Sequence, residues 1–424
     1  MAELETMQQS KADDPSTCLL VAIPAPLGSE ALSPTIAKLT QAWRSLSTPC
    51  QATLALPGAP ATGQPANLAG IGLAEPTAPA LRFVNYPAPA VDPGAIPWLA
   101  NAAAYPVISS LAEKLGARAC TVLGTDLAFN RDSLTAERLT LLLDPAVEGN
   151  FDLVMPLYAT QAFDDLVNKS VLYPLTRALY GYRVHNPLGN EFQMSARLFP
   201  ILSAEAQREP SRQQGRLPWL VAIAASRNLK ICQVRLGARR AAGADGIELS
   251  DALAQLVGPL FIDMEDNAAF WQRIRGSHEA PSFGIADSPA ATGDAVDVRH
   301  MIEAFQLGVR SLRDVWASIL PPLTLLELNK ISHLTPDAFH IEDSLWAHIV
   351  YDFALAHRLR NIRRAHLFGA LTPLYLGWAA SYAVEINNRG VASAPERVEQ
   401  LARVYEAEKP YLLSRWRWPD RFHP

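Results

Sequence analysis

Ala119 to Leu127 reads ACTVLGTDL: five apolar or β-branched residues, a glycine, then an acid one residue further on. A short run of this composition reads as a buried strand. Four similar runs lie on either side of it, at Cys18–Pro24 (CLLVAIP), Gln51–Leu56 (QATLAL), Leu81–Val84 (LRFV) and Leu153–Leu157 (LVMPL). Between them, Ala31–Ser45, Asn101–Leu115 and Leu134–Leu143 space their apolar residues for one buried helical face. Strands alternating with helices predict an α/β fold, a mostly parallel sheet flanked by helices, whose ligands bind beyond the carboxyl ends of the strands. That places a site just after Leu123, where Asp126 stands. An acid there either holds a divalent cation that bridges phosphates or serves as a helix cap or turn residue. Spacing alone favours the second reading.

From about Gly246 the pattern turns helical, with 3.6-residue periodicity over Leu249–Ser277, His300–Ile319, Leu323–Ile331, Asp343–Arg360, Leu371–Asn388 and Ala394–Ala407. The chain therefore divides into a flexible N-terminal segment (1–16), a sheet domain (17–245) and a helical C-terminal domain (246–424). Of its 424 residues 33 are proline, above the usual share of about 5%. Much of that excess falls in a Pro, Ala and Gly-rich stretch, 57–97, read as ordered loops around an edge strand. Leu367–Val384 carries no charge and is about long enough to span a membrane, but it contains Thr372, Pro373, Gly377 and Ser381. It reads as a buried helix, with no membrane span.

A hydrophobic share of 49% and a charged share of 19% exclude a mainly disordered chain. The net charge of −5 supplies no basic field for nucleic acid. Cys18, Cys50, Cys120 and Cys232 form no CxxC pair and read as small buried hydrophobes in a reducing compartment. Met1–Pro15 lacks the basic start and apolar stretch of a signal peptide, so a cytoplasmic protein is expected. Phosphate-loop, dinucleotide-loop, zincin and hydrolase-elbow motifs do not occur.

Three longer motifs follow the fifth strand: LVMPLY from Leu153, NKSVLYPLTRALYG over Asn168–Gly181, and NPLGNEFQMS over Asn186–Ser195. With CQVRLGA (Cys232–Ala238), VGPLF (Val257–Phe261), LLELNK (Leu325–Lys330), YDFALAHRLR (Tyr351–Arg360), LTPLYLGW (Leu371–Trp378) and EKPYLLSRWRWPDRF (Glu408–Phe422), the chain resembles the retaining GT-A glycosyltransferases of the glucosylglycerate and mannosylglycerate synthase type. The resemblance implies a GT-A sheet domain followed by helices. It also implies transfer of a hexose from a nucleotide-sugar donor to a small acidic acceptor such as D-glycerate or its phosphate. A divalent metal, Mg or Mn, held by an Asp-x-Asp and a downstream His, would support the departing diphosphate.

The carry-over onto this chain is uneven. Asp126 falls on the second acid, after Thr125, but Gly124 stands where the first should be, which weakens cation binding. Arg239 and Arg240 occupy the region of the metal His; their charges can take over at the diphosphate. Ile96–Ala100 and Leu217–Val221 are apolar where the family has a polar donor loop and an acid. On the acceptor side Glu191 matches the family acid and Gly189 is kept, while Asn190 replaces a glycine. Glu191 can orient an acceptor or stabilise charge at the anomeric carbon, or simply bond nearby backbone. Arg177 can clamp a substrate carboxylate or form a structural ion pair, and His185 lies on the loop leading to Gly189. In the tail, the two tryptophans of Arg415–Trp418 read as anchors in a groove, with Arg stacking or pairing. Two functions are thus expected of such a chain: a hexosyltransferase, or an inactive homologue acting as a partner or regulatory subunit. A homo-oligomer is compatible with both.

Overall fold

A computed structural model describes residues 18–24, 29–48, 50–58, 81–87, 89, 94–124, 135–206, 217–238, 247–284 and 296–419. The N-terminal segment 1–16, much of 57–97, and Thr125, Asp126, Arg239 and Arg240 lie outside the described residues.

Among the described residues the fold is built on an eight-stranded sheet. Its strands are β1 (Leu19–Ala22), β2 (Ala52–Gly58), β3 (Arg82–Pro87), β4 (Ala119–Leu123), β5 (Leu153–Ala159), β7 (Glu191–Ser195), β8 (Ile231–Ala238) and β10 (Ser282–Phe283). The order across the sheet is β10-β8-β5-β7-β4-β1-β2-β3. Every pairing is parallel except those of β7, which runs antiparallel to both β4 and β5. A separate two-residue pairing joins β6 (Tyr182–Arg183) to β9 (His278–Glu279). All five runs read as strands form strands at those positions. Glu191–Ser195 and Ile231–Ala238, noticed only as motifs, supply two interior strands.

Period-two alternation sorts the side chains of each strand onto two faces. Leu19, Val21, Leu54, Leu123 and Val154 pack beneath Ile36, Leu39 and Trp43 of helix Ser29–Arg44 and Leu139, Leu142 and Leu143 of helix Ala136–Val147. Thr135 caps the latter helix, its Oγ1 accepting the Arg138 N–H at 3.3 Å, so this helix starts after the expected Leu134. On the other face, Leu20, Ala22, Val122, Met155 and Phe192 belong to a larger core. That core continues without a break through Trp98, Tyr105 and Trp219 into Trp271, Trp346 and Trp378 of the C-terminal helices.

Those helices include Leu249–Asp266, Arg299–Ser311, Asp343–Leu359, Arg364–Arg389, Ala394–Ala407 and Lys409–Arg417. The expected helix Leu249–Ser277 stops at Asp266, and Ala268–Trp271 adds one further turn. Helix Arg364–Arg389 is long and apolar enough to cross a membrane, but 72% of its apolar window is buried inside the fold. Gly377 lets it lie against a neighbour: a Cβ there would come within 2.7 Å of the Phe305 ring. The tail helix is anchored by Trp416, which meets Trp271 edge-on at 5.3 Å with the Arg358 guanidinium 4.6 Å over its ring. Arg415 pairs with the buried Asp352 at 2.8 Å. Trp418, expected to share the anchoring, is instead 62% exposed, because the helix ends at Arg417.

Candidate functional site

Beyond the carboxyl ends of β5 and β8 the fold encloses a cavity of about 640 Å³. Leu157–Ala159 of β5 and Arg235 and Gly237 of β8 form one wall, and His185 and Asn186 form another. Asn168 and Lys169 form a third, and Val391 to Glu399, leading into helix Ala394–Ala407, closes the space. Two irregularities shape it. The β5–β8 register shifts between Leu157 and Tyr158, a bulge of the kind that re-aims side chains. Asn168–Leu172 winds as a π-helical turn running directly into helix Tyr173–Tyr180, a feature common at functional sites.

His185 is held there from three sides. Its N–H donates to Gln233 Oε1 at 2.9 Å, and the same Gln233 side chain donates to Arg183 O at 3.0 Å, fixing the loop to β8. The ring stacks on Tyr173 at 4.7 Å, and Nε2 lies 3.2 Å from Glu399 Oε1. Glu399 also accepts the Tyr173 hydroxyl at 2.5 Å and Arg177 Nη1 at 2.7 Å. Burial alone would raise its carboxyl; the bonds from His185 and Tyr173 and the Arg177 charge outweigh that and hold it at about 2. Lys169 reaches the carbonyls of Gln161 and Ala162, with Nζ 3.2 Å from the latter. Burial lowers its ammonium below the usual value, against the opposing pull of Asp165. Among the described residues, Lys169, Arg235 and His185 line the cavity together with the carboxylate of Glu399, which is already paired.

Arg177 is not free for a substrate. Its side chain is 1% exposed and is shared between Glu399, Glu406 at 3.0 Å and the Ser277 hydroxyl at 3.1 Å. Of the two roles open to Arg177, carboxylate clamp or structural ion pair, its contacts are those of the second, tying helix Tyr173–Tyr180 to helix Ala394–Ala407. Glu191 opens β7 directly opposite Leu123. It is 5% exposed, and its carboxylate accepts the hydroxyl of Tyr158, a residue of the cavity wall. Burial pushes its carboxyl up to about 7, although the Tyr158 bond pulls the other way. Gly189 is fixed by packing: a Cβ there would lie 2.2 Å from Pro156 Cγ, so only glycine passes β5 this closely.

The position of the missing first acid is equally specific. A Cβ on Gly124 would lie 2.5 Å from the Cβ of Asn190, 2.9 Å from Asn101 Nδ2 and 3.0 Å from Asn190 O. Asn101 and Asn190 are bonded to each other at 3.2 Å, and both are buried. Gly124 and Asn190, the two positions where the chain departs from the pattern it was read to resemble, therefore fill one another's space. A carboxylate at 124 does not fit, and no group of three or more His, Cys, Asp or Glu side chains converges on a metal position among the described residues. Nearby, Trp98 and Trp219 stand in the two segments where the resemblance places a polar donor loop and an acid. Both are buried, and they pack edge-to-face at 6.0 Å.

No family model and no curated protein matches the chain. Among solved structures a mycobacterial protein is similar over 67% of this chain and 89% of its own, with 15% identity and a TM-score of 0.35.

Of the predicted residues His185 lines the cavity, while Gly189 packs on Pro156, Glu191 bonds the cavity-wall Tyr158 and Asn190 lies against Gly124. The structure adds Lys169, Tyr173, Arg235 and Glu399, which sequence reasoning did not single out. Lys169 and Tyr173 lie inside the quoted NKSVLYPLTRALYG motif, so a lysine before an otherwise apolar helical run was the available signal. For Glu399, on the outer pattern of a surface-type amphipathic helix, there was none.

Proposed function

We propose that this chain is a GT-A-like glycosyltransferase relative that binds a small acidic hydroxy compound, of the glycerate or phosphoglycerate class, and no longer performs metal-supported hexose transfer. The observation that carries this reading is the mutual packing of Gly124 with the Asn101–Asn190 pair, which takes the volume of a metal-binding carboxylate. The Trp98–Trp219 contact supports it from the donor side. The cavity retains Lys169, Arg235 and His185 for an anion. In this reading the protein acts as a ligand-sensing partner or regulatory subunit.

A second reading is favoured by one observation, the retention of Glu191 beside the cavity wall with its proton held to about pH 7. That reading keeps hexose transfer from a nucleotide sugar, with Arg239 and Arg240 replacing the metal at the diphosphate and Thr125 and Asp126 contacting the donor. Calorimetric titration separates the two. Glycerate and 3-phosphoglycerate are expected to bind without a donor, and UDP-, GDP- and ADP-sugars to give no heat with or without Mn²⁺. Donor binding that requires Mn²⁺ would overturn the first reading. Metal-independent donor binding abolished by Arg240→Ala would establish the second. Absence of binding by every compound would refute both.

A further inference from the structure

At the opposite, amino-terminal edge of the sheet two cysteines that are 32 positions apart in the chain come together. Cys18 immediately precedes β1, and Cys50 lies just before β2. The strands are parallel neighbours with Leu19 opposite Ala52, and the Cys18 N–H donates to Gln51 O at 2.9 Å. Neighbouring strands about 4.8 Å apart and a rise of about 3.3 Å per residue put the two Cα atoms roughly 6 Å apart. A disulfide spans about 4.4–6.8 Å between Cα atoms. Both side chains pack against the same core face, and both are half-buried. The expectation of four scattered, buried cysteines thus holds for Cys120 and Cys232, which are buried, and not for this pair.

We infer that Cys18 and Cys50 form a peroxide-reactive dithiol, Cys18 as the attacking sulfur and Cys50 as the resolving one, that closes reversibly to a disulfide. The exposed Arg118, at the head of β4, lies beside Cys18; its charge and its hydrogen bond favour the thiolate. The bond from Cys50 is the largest influence lowering the Cys18 thiol, burial opposes it, and Cys50 itself is raised. The position of the exposed Arg118 beside Cys18, on the strand next to β1, suits attack by that sulfur and resolution by its partner.

The chemistry balances with a hydroperoxide as oxidant. The Cys18 thiolate attacks the terminal peroxide oxygen; the S–O bond forms, the O–O bond breaks, and the departing oxygen takes a proton to leave as water or an alcohol. Cys50 then attacks the Cys18 sulfur of the sulfenic acid; the S–S bond forms, the S–O bond breaks, and the hydroxide leaves with the Cys50 proton as water. Two thiols lose two electrons and the hydroperoxide gains them. The site lies away from the cavity and stands or falls independently of the proposed ligand.

The test uses the full chain, treated with hydrogen peroxide, digested without reductant and mapped by mass spectrometry. The expected result is one intrachain Cys18–Cys50 peptide pair with a mass loss of about 2 Da, loss of two of the four titratable thiols in unfolded samples, and full recovery with dithiothreitol. In a Cys50→Ser variant, Cys18 is expected to accumulate as a dimedone-trapped sulfenic acid. In the wild-type map, an unmodified pair, Cys18 carried on to sulfinic acid, or a disulfide between two chains would each overturn the inference. The map needs no variant to fold.

Discussion

If Gly124 and Asn190 are a packing couple, the cost of adding one carbon at 124 must depend on what occupies 190. In Gly124→Ala the new Cβ would sit 2.5 Å from Asn190 Cβ and 2.9 Å from Asn101 Nδ2, about 1 Å inside normal carbon contact. The side chains pressed upon are 8% and 0% exposed and bonded to each other, so they cannot swing into solvent. Overpacking at such a site costs about 1–3 kcal/mol, and the upper part of that range is expected because β4 and β7 are joined there by their ladder. Asn190→Gly removes the nearest atom and one hydrogen bond, at a cost of about 1 kcal/mol. On that background Gly124→Ala should cost at least about 1 kcal/mol less than on the wild type, a coupling typical of residues in contact. Guanidinium unfolding of the wild type, both single variants and the double variant, followed by tryptophan fluorescence, gives the cycle. Additive costs, or a neutral Gly124→Ala, would refute the claim that these two positions exclude one another and remove the main support for a lost metal site.

Three further outcomes follow from the site and its supports. Glu191 has a folded value of about 7 against an unfolded one near 4.5, so between those values the native state binds the extra proton. Stability from this group is therefore greatest below about pH 4.5, is lost as pH rises towards 7 and is flat above; Glu191→Gln should abolish this component, read as a smaller difference between unfolding midpoints at pH 5 and pH 8. Arg177→Met strips a buried cation from Glu399 and Glu406 and should cost about 3 kcal/mol, with a cost under about 1 kcal/mol arguing against the structural role assigned to it. Trp416→Ala should cost about 3–5 kcal/mol by emptying a core position, whereas Trp418→Ala, at an exposed position, should stay within about 0.5 kcal/mol; thermal melts of the pair test which tryptophan anchors the tail.

The strands were legible where burial on both faces makes an apolar run unbroken, as at Ala119–Leu123 and Leu153–Leu157. Glu191–Ser195 escaped because Glu191, Gln193 and Ser195 interrupt it. Gln193 is buried because its amide serves the sheet and helix together, donating to Leu143 O at 2.6 Å and accepting from Ala146 N at 3.0 Å. Polar residues whose partners lie far along the chain carry no local signature. The same holds for Arg177: its helix was apparent, but Glu399 and Glu406, which decide whether it meets a ligand, are more than 200 positions away. The thiol pair was readable in principle. Cys18 opens one run identified as a strand and Cys50 stands just ahead of the next, so aligning two parallel neighbours by their starts brings them close together.

Helix Ala394–Ala407 supplies the last wall of the cavity and the carboxylates that neutralise Arg177. The sheet, the bulged end of β5 and the π-helical turn all precede it in the chain. Synthesis from the amino terminus at about 5–20 residues per second therefore leaves the sheet, complete at Phe283, with an open cleft and an uncompensated guanidinium for roughly 6–25 seconds before Ala407 is added. The cavity is completed last, so any chain released early by a stalled ribosome carries the sheet without the cavity's final wall.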